Sequence, residues 1–83
     1  MGKNVFQITS PISGIFYRTP SPESPPYVEV GQEVKAGDIV CLVEQMKVFT
    51  EVMCEKDGTI TQILVEQEDA VGENQPLFEV EEK

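Results

Sequence analysis

The sequence contains no histidine and no tryptophan, and sets only six basic residues against fifteen acidic ones. Without histidine, a Ser-His-Asp triad and the common zinc sites are excluded, and no metal is expected. A net charge of −9 leaves no basic footprint for phosphates, so nucleic acid is excluded as a partner. An anionic membrane surface is disfavoured on the same ground. No apolar stretch approaches the ~20 residues needed to span a bilayer. Cysteine is nearly absent too. Cys41 lies in the apolar run Ile39-Val40-Cys41-Leu42-Val43, where a buried free thiol is expected. One further thiol, Cys54, is too sparse a complement for a disulfide framework.

What remains is 83 residues, read as a single domain over residues 1–83 with a thin core. A complete multi-step active site is hard to fit in such a chain, which favours a carrier, binding or interaction module over a free-standing enzyme. Charge is uneven. Residues 1–44 carry five acids and three bases, residues 45–83 ten acids and three bases, so a partner docking on the second half is expected to be basic. Met1-Gly2-Lys3-Asn4-Val5 has no signal-peptide character, and Thr9-Ser10 lie too far along for a myristoylation motif. The expected location is cytoplasmic, or the plastid stroma if a transit peptide has been removed.

The apolar runs are short, rich in Val and Ile, and bounded by Gly, Pro, Asn or Asp, which is the pattern of strands. Strands are expected at 5–8, 13–17, 28–30, 39–44, 48–54, 59–66 and 76–81. Turns are expected at Lys35-Ala36-Gly37-Asp38 and at Lys56-Asp57-Gly58-Thr59, the latter with Gly58 free to take φ > 0. No window supports a long amphipathic helix. Seven short strands imply an all-β sandwich or flattened barrel.

A shift of 37 residues superimposes Val28-Glu29 on Val65-Glu66, Val34 on Val71 and Val43-Glu44 on Val80-Glu81. Ser13-Gly14 meets Asp57-Gly58 only at a shift of 44, so the first copy holds about seven extra residues between Gly14 and Val28. The pattern implies two β-units related by a pseudo-two-fold axis. The extra residues fall in Thr19-Pro20-Ser21-Pro22-Glu23-Ser24-Pro25-Pro26. Proline fixes φ and has no N–H to give a sheet, so 19–26 is expected to protrude as a stiff loop.

The same shift carries Lys47 just past the last residue. Gln45-Met46-Lys47-Val48 should therefore be a tight, exposed hairpin, with the termini at the other end of the molecule. A lysine so presented suits covalent modification by an external enzyme. No neighbouring base makes it an autonomous nucleophile.

These features together resemble the biotinyl domain of the biotin carboxyl carrier proteins of acetyl-CoA carboxylase, within the biotinyl/lipoyl attachment family. The resemblance runs through Ser10-Pro11-Ile12-Ser13-Gly14-Ile15-Phe16-Tyr17-Arg18-Thr19-Pro20-Ser21-Pro22 and Val28-Glu29-Val30-Gly31-Gln32-Glu33-Val34. It continues through Gly37-Asp38, Val43-Glu44-Gln45-Met46-Lys47, Asp57-Gly58-Thr59-Ile60, Ile63-Leu64-Val65-Glu66 and Pro76-Leu77. It implies a biotinyl/lipoyl-like fold, a thumb at 19–26, and biotin joined as an amide to Lys47 by biotin protein ligase. It further implies a swinging arm that carries a carboxyl group from biotin carboxylase to carboxyltransferase, for malonyl-CoA formation in fatty acid biosynthesis. The cofactor-contacting set it implies is Lys47 with Met46, Val48, Glu44 and Thr19, with no catalytic residue in the chain itself. Gln45 and Val48 stand where the family usually has Ala and Met. Two other readings share the fold. One is a lipoyl carrier, which usually has Asp where Met46 stands. The other is a non-biotinylated interaction or regulatory paralogue.

Overall fold

The computed structural model describes residues 4–83. Eight strands follow in order: β1 Val5–Thr9, β2 Gly14–Tyr17, β3 Glu33–Val34, β4 Ile39–Gln45, β5 Val48–Met53, β6 Gly58–Ile63, β7 Ala70–Val71 and β8 Pro76–Glu82. They form two four-stranded sheets. Sheet I has the order β1-β8-β6-β3 and sheet II the order β5-β4-β2-β7. All pairings are antiparallel. The expected all-β sandwich is present, with no helix among the described residues.

The two sheets obey the sequence repeat. A shift of 37 carries β3 onto β7 and β4 onto β8, and a shift of 44 carries β1 onto β5 and β2 onto the start of β6. Applied to sheet I, these relations return the strand order of sheet II. Loop hydrogen bonds follow the same rule. Ser10 N–H donates to Gln75 O, and its own C=O accepts from Asn74 N–H; Cys54 N–H donates to Asp38 O, and its C=O accepts from Gly37 N–H. Lys35 N–H is capped by Asp38 Oδ2 at 2.9 Å, and Gly72 N–H by Gln75 Oε1 at 2.9 Å.

The core lies between the sheets, where alternate residues point inward. Phe16, Val43, Ile60, Leu77, Phe78 and Val80 are all fully buried. Phe16 and Phe78 meet with ring centroids 5.9 Å apart, and truncating such a ring to Ala typically costs about 3–5 kcal/mol. The positions related by symmetry hold Ile60 and Cys41, so large and small side chains exchange places across the axis. Cys41 and Cys54 are free and buried. Burial pushes the Cys41 thiol up to about 12.

Three expectations need correction. Residues 28–30 form no strand. Val28 is buried, but Gln32 N–H donates to Glu29 O and Glu29 N–H to Gln32 Oε1, closing a tight turn with Gly31 at φ 92°. That turn takes the backbone groups a strand would need. Pairing instead resumes at β3. Neither β3 nor its counterpart β7 is among the expected strands, since two-residue strands leave no period-two signal. The strand expected at 59–66 ends at Ile63, before the matching turn in which Glu66 N–H donates to Asp69 Oδ2 at 2.8 Å.

The third correction concerns Gly58, which does not use positive φ. A Cβ there would lie 2.5 Å from Glu81 O and 2.6 Å from Val80 Cγ1. At Gly14 it would collide with Glu44 O and lie 2.9 Å from Val43 Cγ1. Both glycines are required by close backbone approach, not by a left-handed conformation.

Candidate functional site

β4 and β5 are joined by two residues only. Gln45 pairs with Val48 and Glu44 with Phe49, which leaves Met46 and Lys47 as the turn. Their φ values are 52° and 67°, the positive pair of a type I′ hairpin. This turn matches the right-handed twist of the strands, although neither residue is Gly, Asn or Asp. Left-handed φ costs an ordinary residue roughly 1–2 kcal/mol. The expected tight, exposed hairpin is thus present, with Met46 at 89% relative exposure. Lys47 is exposed, and among the described residues its amine has no hydrogen bond or ion pair. Val48 opens β5 and is exposed too.

The hairpin is braced on both sides. On the outer face of sheet II, Tyr17 Oη donates to Glu44 Oε1 at 3.0 Å. The Tyr17 ring also meets Phe49, with centroids 5.7 Å apart. Tyr17 and Glu44 are diagonal cross-strand neighbours, and Glu44 directly faces Phe49, so all three share a face. Bonding to the Glu44 carboxylate holds the Tyr17 phenol above its ordinary value, with burial and the nearby charges of Glu44 and Glu68 adding to it. On the other side, Gln45 Nε2 donates to Ser13 O at 2.9 Å and to Ser13 Oγ at 3.1 Å.

Tyr17 also leads into the proline-rich loop. The base of that loop is closed by Tyr27 N–H to Arg18 O at 2.9 Å and by Arg18 Nη2 to Val28 O at 3.3 Å. Gln67 Oε1 accepts from Arg18 N–H at 2.6 Å, tying the β6–β7 link to it. Further out, Ser24 N–H donates to Ser21 O, and the two hydroxyls lie 2.8 Å apart. Between this loop and the hairpin strand runs a groove of about 190 Å³, lined by Tyr17, Thr19, Pro20, Ser21, Pro22, Phe49, Gln67 and Glu68. The Tyr17 and Phe49 rings and two prolines give it apolar surface, and Thr19, Ser21, Gln67 and Glu68 add polar groups, a lining that suits a small ring-shaped ligand.

Of the expected site residues, Met46, Lys47, Val48 and Glu44 are gathered on the hairpin. Thr19 sits in the groove beside Phe49, without a hydrogen bond to the hairpin among the described residues. Tyr17, Phe49, Gln67 and the Gln45–Ser13 tether lie outside the expected set. Phe49, an aromatic two residues beyond Lys47, and Gln45, where Ala is usual, are the signals for them in the sequence. A larger open cavity of about 700 Å³, lined by Arg18, Glu29, Val30 and residues of β6 and the β6–β7 link, includes none of the hairpin residues. It has no part in what the hairpin presents. No group of three or more acidic or cysteine residues could hold a metal ion among the described residues.

A family model described as "Biotin-requiring enzyme" matches residues 6–80. The chain is 51% identical over 73 residues to the biotin carboxyl carrier protein of acetyl-CoA carboxylase of Pseudomonas aeruginosa, covering 88% of this chain and 47% of that protein. It is 46% identical over 71 residues to a chloroplastic protein of the same description, number 2 of Arabidopsis thaliana, covering 86% of this chain and 28% of that one. The chain therefore spans about a quarter to a half of the length of these curated relatives. Among solved structures, Kluyveromyces lactis urea carboxylase superimposes with a TM-score of 0.76 at 25% identity, over 96% of this chain and 6% of that one. A single-chain, multi-domain long-chain acyl-CoA carboxylase gives 0.82 at 16% identity, over 100% and 8%, and that likeness bears on the fold alone.

Proposed function

Since this chain belongs to the biotin/lipoyl attachment family of biotin-requiring enzymes, we propose that it is a biotin carboxyl carrier domain of an acetyl-CoA carboxylase, with biotin attached to Lys47. One observation carries the reading: a lysine amine, unpartnered among the described residues, at the apex of an exposed two-residue hairpin.

The residues present fit the group. An amide at Lys47 Nζ breaks no contact, because that amine has none to lose among the described residues. The groove beside the hairpin offers the Tyr17 and Phe49 rings, with Thr19 at its rim. When bound, biotin supplies a ureido nitrogen that accepts a carboxyl group. The protein supplies presentation. Lys47 fixes the point of attachment, Met46 and Val48 flank it as the surface a biotin protein ligase reads, and Glu44 holds the hairpin face through Tyr17. Tethering raises the effective concentration of the cofactor at both of its working sites without any new contact.

The partners follow from the same reading: biotin protein ligase, biotin carboxylase and carboxyltransferase, with malonyl-CoA for fatty acid synthesis as the outcome. The cytoplasm, or a plastid stroma, is the compartment in which we place it. The acidic second half docks on basic surfaces of the carboxylase. Binding that weakens as salt rises supports this docking, and salt-insensitive binding overturns it.

The test is intact mass after incubation with biotin, ATP and a biotin protein ligase, followed by peptide mapping. A single biotinyl increment on the peptide holding Lys47, lost in Lys47→Arg while the circular dichroism spectrum is unchanged, is the expected result. No increment on a folded domain, with a control substrate modified in parallel, overturns it. An increment under a lipoyl ligase instead would reassign the cofactor.

A further inference from the structure

The Met46-Lys47 turn holds two ordinary residues in the left-handed region. Strained backbone of this kind persists only where its surroundings over-determine it. Pairing of Gln45 with Val48 closes the turn, yet β5 is an edge strand and Val48 is exposed, so this pair is free to fray. Gln45 is the residue immediately before the strained pair. Its side-chain amide reaches across to the β1–β2 connection, donating to both Ser13 O and Ser13 Oγ.

The other sheet serves as an internal control. The positions related to Gln45 and Ser13 are Glu82 and Asp57, two acids that cannot reproduce this bond. There Asp57 Oδ1 accepts from Ala36 N–H, and Glu82 faces Lys56 at 3.9 Å. Sheet I therefore has no side-chain tether here; the related carbonyl, Asp57 O, accepts instead from the Lys83 backbone N–H at 3.1 Å. Sheet II has the tether and also the strained turn.

We propose that Gln45 is a positioning residue that clamps the strained turn and so keeps the Lys47 amine presented to the ligase. This rests on Lys47 being the attachment point. Without the clamp the turn relaxes into a mixture, only part of which presents the amine. A substrate that is competent for a fraction of the time binds more weakly by that fraction, and reacts normally once bound. The effect should fall on KM and spare kcat.

The experiment compares the intact domain with Gln45→Ala, Gln45→Glu and Ser13→Ala. In Gln45→Ala, KM for the ligase should rise at unchanged kcat, by at most about three- to tenfold, the ceiling set by the loss of one or two hydrogen bonds. Gln45→Glu should do at least as much, because its carboxylate faces the Ser13 carbonyl with no proton to donate. Ser13→Ala keeps the carbonyl acceptor and should do less, and adding it to Gln45→Ala should cost nothing more. In parallel, scalar couplings that report φ at Met46 and Lys47 should shift in Gln45→Ala and stay put in Ser13→Ala. Unchanged KM and unchanged couplings in Gln45→Ala overturn the clamp, as does a fall confined to kcat. If the wild-type domain takes no biotin, the attachment reading fails, and the couplings alone still decide whether Gln45 holds the turn.

Discussion

Sheets I and II are built to one plan from different residues. Both place a glycine where a backbone carbonyl approaches too closely for a Cβ, Gly14 against Glu44 and Gly58 against Glu81. Both bury a small side chain with a weakly demanding donor at a crossing point. Ser10 Oγ donates to Ile12 O at 2.6 Å, and Cys54 Sγ to Lys56 O at 3.0 Å. They part company at two places. Where sheet II turns through Met46 and Lys47, sheet I runs out through Glu82, whose N–H donates to Asn4 O, and Lys83, whose N–H donates to Asp57 O. Where β6 reaches β7 by a short link, β2 reaches β3 through the proline-rich loop. The shared features are those the fold needs. The proposed function resides in the two departures, which cost the common plan little because both lie outside the paired strands.

The comparison breaks or holds on substitutions made in related pairs. The largest effect is expected at the two glycines. Gly14→Ala and Gly58→Ala should each lose about 3 kcal/mol, since a backbone carbonyl must move to admit the methyl group, measured by denaturant unfolding. Only Gly14→Ala should also impair biotin acceptance under conditions where both variants are folded, because Glu44 begins the hairpin. Equal impairment by both would show that the sheets are coupled more tightly than the symmetry suggests.

A smaller effect separates Cys41 from its counterpart Phe78. The folded thiol sits at about 12 against an ordinary 9. Between those values the unfolded chain releases a proton that the folded one keeps, so stability is full below pH 9 and falls as pH rises toward 12. At pH 10.5 the loss should be about 2 kcal/mol. Cys41→Ala should flatten that part of the pH profile relative to the parent, and an unaltered slope would mean that the thiol is less buried than the structure has it.

Next come the loop positions. Glu68 at φ 70° is the counterpart of Gly31 at φ 92°. Glu68→Gly should stabilise by about 0.5–1 kcal/mol and Gly31→Glu destabilise by a similar amount, read as opposite shifts in melting temperature. The smallest effect on stability is expected in the thumb. Thr19→Ala should change it by less than about 0.5 kcal/mol while lowering carboxyl transfer by the biotinylated domain severalfold. Ile63→Val, at the related position of sheet I, should leave transfer unchanged.

Much of this plan is legible in the amino-acid sequence. Alternation of Val and Ile with polar residues, punctuated by Gly, Pro and Asp, marks which segments become strands, because a half-buried sheet face repeats every second residue. The repeat at 37 and 44 residues implies two related units and places Lys47 at the junction between them. What the pattern does not contain is the outcome of competitions settled at long range. Val28-Glu29-Val30 alternates as a strand does, yet it becomes the entry to a turn, because Gly31 N–H finds Ile60 O at 2.7 Å and Gln32 closes on Glu29. The Gly58 position reads as a turn glycine, and only the packing of β8 against β6 reveals a crossing too tight for a side chain. The left-handed pair at Met46-Lys47 has no glycine or asparagine to announce it. Composition and period determined that this chain is a doubled β-sandwich with an exposed lysine. How that lysine is held, by Gln45 on Ser13 and by Glu44 on Tyr17, was decided only when residues about thirty positions apart came within hydrogen-bonding distance.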